Sequence, residues 1–137
     1  MNITIEISPQ RIADLMVSAI EGNHMTRAWC AGVSLERLGS KTGDAAVAAM
    51  ETGNEDPWYA NPNLYDGSGF AIDIGEQDEE TGKVTSHLVT PAGFVAGLTL
   101  MATKHGRHFG AFMSENEDGI TADVFLQCVA LGDVVYG

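Results

Sequence analysis

The two segments Gly69-Phe-Ala-Ile-Asp-Ile-Gly-Glu76 and Lys83-Val-Thr-Ser-His-Leu-Val-Thr90 predict a β-hairpin. Apolar residues alternate with small or polar ones in both segments, which is typical of strands with one buried face. The connection between them, residues 77–82, is acidic and ends in a glycine, a residue that favours turns. We therefore expect this hairpin to be the centre of a small antiparallel sheet.

Two helix starts flank the hairpin. Ser8 is followed by proline and then by apolar residues at helical spacing up to Gly22. Thr90 is also followed by proline, and the same spacing continues to Gly106. A hydroxyl residue that can cap a helix, followed by proline in the first turn, is a typical helix N-terminus. The sequence therefore predicts one helix before the hairpin and one directly after it.

The C-terminal part predicts two more helices. Residues 107–113 indicate a short one, and residues 115–119 indicate a loop. Thr121 is the expected cap of a last helix that runs to about Leu131 and stops at Gly132. Apolar residues lie on nearly all sides of this last helix, which indicates a helix buried at the centre of the domain.

The remaining segments give weaker signals. Residues 2–7 alternate like a half-buried strand, and residues 26–34 are compatible with a second strand. Residues 35–43 indicate a loop, residues 44–51 a short alanine-rich helix, and residues 52–69 a long irregular segment with interleaved aromatic residues.

These elements predict one α+β domain over residues 1–137. In it, a small antiparallel sheet, made of the N-terminal strand and the central hairpin, packs against three to four α-helices. A chain of this length buries enough surface for an ordinary core, and no linker or repeat divides it.

The charge of the chain excludes several classes of partner. Nineteen acidic residues stand against seven basic ones, which gives a formal net charge of −12. Nonspecific nucleic-acid binding and binding to anionic membranes both need basic residues, so we expect neither. Residues 1–7 lack the basic segment of a signal peptide, and no apolar run is long enough to span a membrane.

Local motifs do not point to catalysis, a metal or a cofactor. Residues 114–119 resemble half of a calcium loop, but Phe125 stands where the bidentate carboxylate is required. His105 and His108 lack a third ligand nearby, and no nucleophile motif is present. Cys30 and Cys128 lie among apolar neighbours and indicate two buried thiols, although the sequence leaves a disulfide open. We therefore expect a protein that is not an enzyme.

Acidic side chains form the first candidate binding site. One group belongs to the hairpin, and a second precedes the last helix. A high net charge also favours solubility by itself, which is the alternative explanation. The candidate protein-binding residues are Glu76, Asp78, Glu79, Glu80, Glu115, Glu117 and Asp118.

A basic cluster beside aromatic residues forms an alternative site. Lys104, Arg107 and His108 are suited to hold phosphates, and Trp58 or Tyr59 is suited to stack on a base. Together they would bind a nucleotide. The alternatives are a salt-bridged helix end and an aromatic lid on the core.

Both ends of the chain resemble an uncharacterised family of small proteins of tailed phages and prophages. The resemblance covers about 60 residues, in the motifs Ile7-Ser-x-x-Arg-Ile-Ala-Asp-Leu15, Ala19-Ile-Glu-Gly22, Met101-Ala-x-Lys-x-x-Arg-His-Phe-x-x-Phe-x-x-Glu-Asn116, Thr121-Ala-Asp-Val-Phe-Leu-Gln-Cys128 and Gly132-Asp-Val-Val-Tyr-Gly137. The chain departs from the family at residues 23–29, where the family carries an aromatic Tyr-Trp-Tyr stretch, and residues 35–56 resemble an insertion.

The resemblance implies a phage accessory protein in the host cytoplasm, and it implies no reaction. By analogy with other small phage accessory proteins, it predicts a protein that inhibits a host defence protein of the CRISPR or restriction type. The acidic residues would then imitate DNA in a basic groove. Sequestration of a nucleotide immune signal and an accessory role outside defence are the alternatives, and homodimerisation stays open.

Overall fold

The computed structural model describes residues 5–21, 23–37, 57–66, 69–116 and 118–137. The helices in this part are α1 (Pro9–Ile20), α2 (His24–Arg27), α3 (Pro91–Lys104), α4 (Gly106–Met113) and α5 (Gly119–Leu131). The strands are β1 (Cys30–Arg37), β2 (Phe70–Gln77) and β3 (Val84–Val89), and two 3-10 turns cover Trp58–Ala60 and Pro62–Tyr65.

The sheet confirms the predicted α+β class and the central hairpin. Its strands lie in the order β1–β2–β3, and both neighbouring pairs are antiparallel. In β2, Ile72 and Ile74 are almost fully buried, whereas the intervening Asp73 is half-buried. This alternation places the helices on one face of the sheet; on the other face Ala71 is buried, and the part around Asp73 and Gly75 is open to solvent.

The third strand of the sheet is not the predicted N-terminal one. Residues 5–7 lie outside the sheet, and residues 2–4 lie outside the described residues. Ile7 packs against the core and lines a groove with α1 and α3, whereas Ile5 at the edge of this groove is half exposed. The burial of Ile7 therefore comes from packing on helices and not from pairing in the sheet.

Strand β1 instead completes the sheet. It starts at Cys30 because α2 occupies the preceding residues, so the strand predicted over 26–34 is only partly right. It continues to Arg37, where a loop was predicted, because its ladder with β2 extends through Leu35 opposite Ile72. The rest of the predicted loop and the predicted helix over 44–51 lie outside the described residues.

The helix starts follow the predicted chemistry with one correction. The hydroxyl of Ser8 accepts from the backbone N–H of Arg11, and that of Thr90 from Gly93. The last helix is capped by Asp118 and not by Thr121, as the carboxylate accepts from the backbone N–H of Thr121 at 2.9 Å. A carboxylate is an equally good cap, so the helix begins two residues before the predicted cap.

Helix α5 is the centre of the core, as predicted. All its residues from Thr121 to Cys128 are buried, and α1, α2 and α3 pack around it. Its end is also as predicted, with Gly132 in the left-handed conformation. None of the described helices combines the length and the apolar character that crossing a membrane requires.

The structure describes residues 57–66 and 69 of the predicted irregular segment. Residues 57–66 form the two 3-10 turns, which bury Leu64 and Tyr65 against α1 and α3.

Both cysteines are free: Cys128 is buried and Cys30 is half-buried. Burial raises the pKa of both thiols, that of Cys128 to about 11, so neither has the thiolate character of a reactive cysteine.

Candidate functional site

The tip of the β2–β3 hairpin presents three consecutive exposed acids, Asp78, Glu79 and Glu80, which we call the acidic tip. The Asp78 carboxylate accepts from the backbone N–H groups of Thr81 and Glu80, at 3.0 and 2.8 Å, and these bonds lower its pKa. The backbone oxygen of Asp78 also accepts from the N–H of Gly82, whose φ of 72° closes the turn. The tip is therefore a fixed turn in which Asp78 is structural, while Glu79 and Glu80 face solvent.

The second group of acids lies between α4 and α5. Asp118 caps α5, and the backbone N–H of Thr121 lowers the pKa of its carboxyl. Glu115 forms an ion pair with Arg11 at 3.7 Å, yet its side chain is 78% exposed. Glu117 lies outside the described residues. In this group, Glu115 is the described acid that remains open to a partner.

Glu76, which was grouped with the tip by sequence, belongs to a different arrangement. Its carboxylate accepts from the hydroxyl of Tyr136 and lies 2.8 Å from Nε2 of His87. These three residues, the Glu76 cluster, join β2, β3 and the C-terminal tail. The hydrogen bond from Tyr136, followed by that from His87, lowers the pKa of Glu76. Glu76 is thus a residue that fastens the tail, and it is not part of the exposed acidic surface.

The buried carboxylate of Asp123 was not identified from the sequence as a candidate site residue. Asp123 on α5 is 6% exposed. Its Oδ1 accepts from the Thr26 hydroxyl at 2.8 Å and from Nε1 of Trp29 at 2.9 Å, and its Oδ2 accepts from Nε2 of Gln127 at 2.8 Å. These bonds tie α2 and the residue before β1 to the central helix.

Gln127 extends the network to the C-terminal tail. Its Oε1 accepts from the backbone N–H groups of Val135 and Tyr136, both at 2.8 Å, and its Nε2 also donates to the backbone oxygen of Tyr136. The Tyr136 ring stacks on Trp29, with 5.8 Å between the ring centroids. The tail is therefore held by both its backbone and its last aromatic side chain.

We expect the docking of the tail to weaken in acid. The folded-state pKa of Glu76 lies below its ordinary value. The ionised carboxylate therefore stabilises the docked tail above about pH 4.5, and this stabilisation is lost as the pH falls through the folded-state pKa. The readout is the acid-induced change in Trp29 fluorescence, measured in a Trp58→Phe background. Glu76→Gln should flatten this change, and Glu79→Gln, at an exposed acid of the same hairpin, should not. An unchanged acid response in Glu76→Gln would contradict this role.

Part of the basic cluster is engaged by a single carboxylate. Lys104 and His105 both contact the carboxylate of Asp133, at 3.4 and 3.2 Å, and His108 contacts the hydroxyl of Thr121 at 3.1 Å. Arg107 is exposed and forms no ion pair with any residue that the structure describes. This arrangement corresponds to the salt-bridged helix end, which was the alternative to a phosphate site.

The aromatic pair lies far from that cluster. The hydroxyl of Tyr59 donates to Glu21 at the end of α1, and its ring packs edge-on against Trp58. The backbone oxygen of Tyr59 accepts from Tyr65, whose ring packs on Phe94 in the first turn of α3. Lys104 ends the same helix about 15 Å further along, at about 1.5 Å per residue. The structure does not bring the two halves of the predicted nucleotide site together.

The fold and these arrangements define a small α+β protein with an acidic hairpin tip and a fastened C-terminal tail. Among residues 5–21, 23–37, 57–66, 69–116 and 118–137, no group of three or more His, Cys, Asp or Glu side chains is placed to hold a metal ion. The chain matches no protein-family model, no curated protein and no solved structure.

Proposed function

We propose that this protein is a phage accessory protein without catalytic activity, which inhibits a host defence protein of the CRISPR or restriction type. Its acidic surface would occupy the basic groove in which the host protein holds nucleic acid. The observation that supports this proposal is the acidic tip, which exposes carboxylates on a fixed turn of a chain with a net charge of −12.

Two physical effects favour binding through the tip. The net charge steers the protein toward a basic groove and speeds association, and salt weakens this effect. The turn is already held by Asp78 and Gly82, so little conformational freedom is lost when Glu79 and Glu80 meet a partner. A hairpin is also narrow enough to enter a groove that accepts a nucleic-acid strand.

The test is a DNA-cleavage assay with purified restriction and CRISPR nucleases from the host, at increasing concentrations of this protein. The double variant Glu79→Lys/Glu80→Lys should raise the concentration for half-inhibition by about tenfold or more, which corresponds to roughly 1.4 kcal/mol. Asp78 and Asp118 are left intact, because their reversal would break a turn and a helix cap.

A matched reversal provides the control. Asp14 and Glu36 are exposed acids on α1 and β1, so Asp14→Lys/Glu36→Lys changes the net charge equally at positions outside the tip. We expect this control to retain inhibition within about threefold at physiological salt, because exposed charges more than a Debye length from the partner are screened there. Full inhibition by the tip variant would refute the role of the acidic tip.

A further inference from the structure

The open face of the sheet carries a trough of about 320 Å³ that the proposed function does not use. Gly32 and Gly75 form its floor, since they pair directly across β1 and β2. Val84 of β3 and Ala31 of β1 line its sides, and Asp73 lies one step along β2 on the same face. The trough therefore combines bare backbone, an apolar wall and a carboxylate.

The glycine in the central strand keeps this trough open. Gly75 lies in the interior of β2, opposite the irregularity in β1 between Cys30 and Gly32, and glycine within a strand marks such a bulge or a close approach by another group. Its backbone φ is not in the left-handed region, so the turn chemistry of glycine does not explain it. A Cβ at this position would lie 3.1 Å from Cγ1 of Val84 and 3.4 Å from Cβ of Ala31, so a side chain would fill the space.

Asp73 supplies an acceptor that is already oriented. Its Oδ1 accepts from the hydroxyl of Ser86 at 2.5 Å, which fixes the carboxylate. Its other oxygen accepts no hydrogen bond from the part of the chain that the structure describes, and Asp73 forms no ion pair there. An oriented carboxylate with an open oxygen beside an apolar wall fits a cationic group that carries an aliphatic stem.

We propose that the trough binds an arginine side chain of the partner protein. A guanidinium is flat and weakly hydrated, so it can lie on the bare peptide planes of the two glycines while its N–H groups donate to Asp73. Its aliphatic stem would pack against Val84. The choice of partner rests on the proposed function, because a groove that binds nucleic acid is rich in arginine and complements the charge of this chain.

The probe is the peptide acetyl-Gly-Arg-Gly-amide, compared with versions that carry lysine or the uncharged citrulline. Titrations of the ¹⁵N-labelled protein should shift the amide signals of Gly32, Gly75 and Ser86. The arginine peptide should bind most tightly, and Asp73→Asn should weaken its binding about fivefold or more. Glu36→Gln removes the same charge from the same face, outside the trough, and should change the affinity less than about twofold.

A second variant tests the shape of the site. Gly75→Val places a side chain in the trough and should abolish the shifts at Gly32 and Ser86, with folding checked by the remaining amide spectrum. Equal binding of the citrulline or lysine peptide, or unchanged binding by Asp73→Asn, would overturn the arginine site.

The two proposals fail in different ways. If the peptide does not bind the trough but Glu79→Lys/Glu80→Lys still relieves nuclease inhibition, the arginine site is wrong and the acidic tip stands. If the peptide binds as expected but the tip variant inhibits fully, the arginine site stands and the proposed function of the tip is wrong.

Discussion

Replacing Asp123 by alanine is expected to lower the free energy of unfolding by about 3–5 kcal/mol. The carboxylate is buried and accepts hydrogen bonds from Thr26, Trp29 and Gln127. Its removal leaves the Thr26 hydroxyl and Nε1 of Trp29 without this acceptor in the core and takes one of two acceptors from Nε2 of Gln127. Each unsatisfied buried group costs about 1–3 kcal/mol. Because Gln127 also holds the C-terminal tail, the loss extends beyond the site of substitution.

Asp123→Asn changes the hydrogen bonding at this position and leaves the packing nearly unchanged. Asparagine has nearly the same shape, and its oxygen can still accept from Thr26 and Trp29. Its amide group would face Nε2 of Gln127, and two donors cannot pair. We expect a smaller loss, about 1–3 kcal/mol, from this mismatch.

Urea unfolding followed by circular dichroism measures both losses. Asp14→Ala is the control, because Asp14 is an exposed acid on α1 that accepts one hydrogen bond from Gln10. It should change the free energy of unfolding by about 0.5 kcal/mol or less. The network does not stabilise the fold if Asp123→Ala lowers the free energy of unfolding by less than about 1 kcal/mol. The slope of this free energy against urea concentration must be unchanged for the comparison to hold.

Local signals explain why much of the fold could be predicted. The hairpin and the starts of α1 and α3 depend on residues within a few positions of each other, such as Ser8 before Pro9. The alternation in β2 and β3 is equally local. Tertiary packing decided which segment forms the third strand, because Ile7 is partly buried against helices and not in the sheet. No local feature distinguishes these two outcomes.

The candidate site was less predictable because its contacts are distant in sequence. Tyr136 reaches Glu76 across 60 positions, and Lys104 reaches Asp133 across 29. The sequence prediction relied on charge, so it placed Glu76 with the acidic tip and Lys104 in a phosphate site. One signal was available for the buried network: Asp123 and Gln127 are two polar residues one turn apart, and the other residues from 122 to 131 of this helix are apolar. Such a pair predicts a satisfied polar network in the core.

Gly97→Ala is expected to destabilise the protein by about 2–4 kcal/mol, although alanine favours helices. Gly97 lies in α3 where this helix crosses α5. A Cβ at this position would lie 2.2 Å from Cγ1 of Val129 and 2.7 Å from its Cα. A rotamer change can relieve the first contact, but the second involves backbone. The two helices would have to move apart, and neighbouring core contacts would loosen with them.

Gly110→Ala is the matched control, because Gly110 lies inside α4 and a Cβ there would meet nothing within 4 Å. This variant should gain about 0.5–1 kcal/mol, since alanine restricts the unfolded chain and favours the helix. The same substitution in two helices is thus expected to have opposite signs, which thermal unfolding of both variants can measure. If Gly97→Ala is also stabilising, α3 and α5 do not approach as closely as described. The clash itself is with Val129, so shortening that side chain by Val129→Ala should restore only part of the loss, because the contact with the Val129 backbone remains.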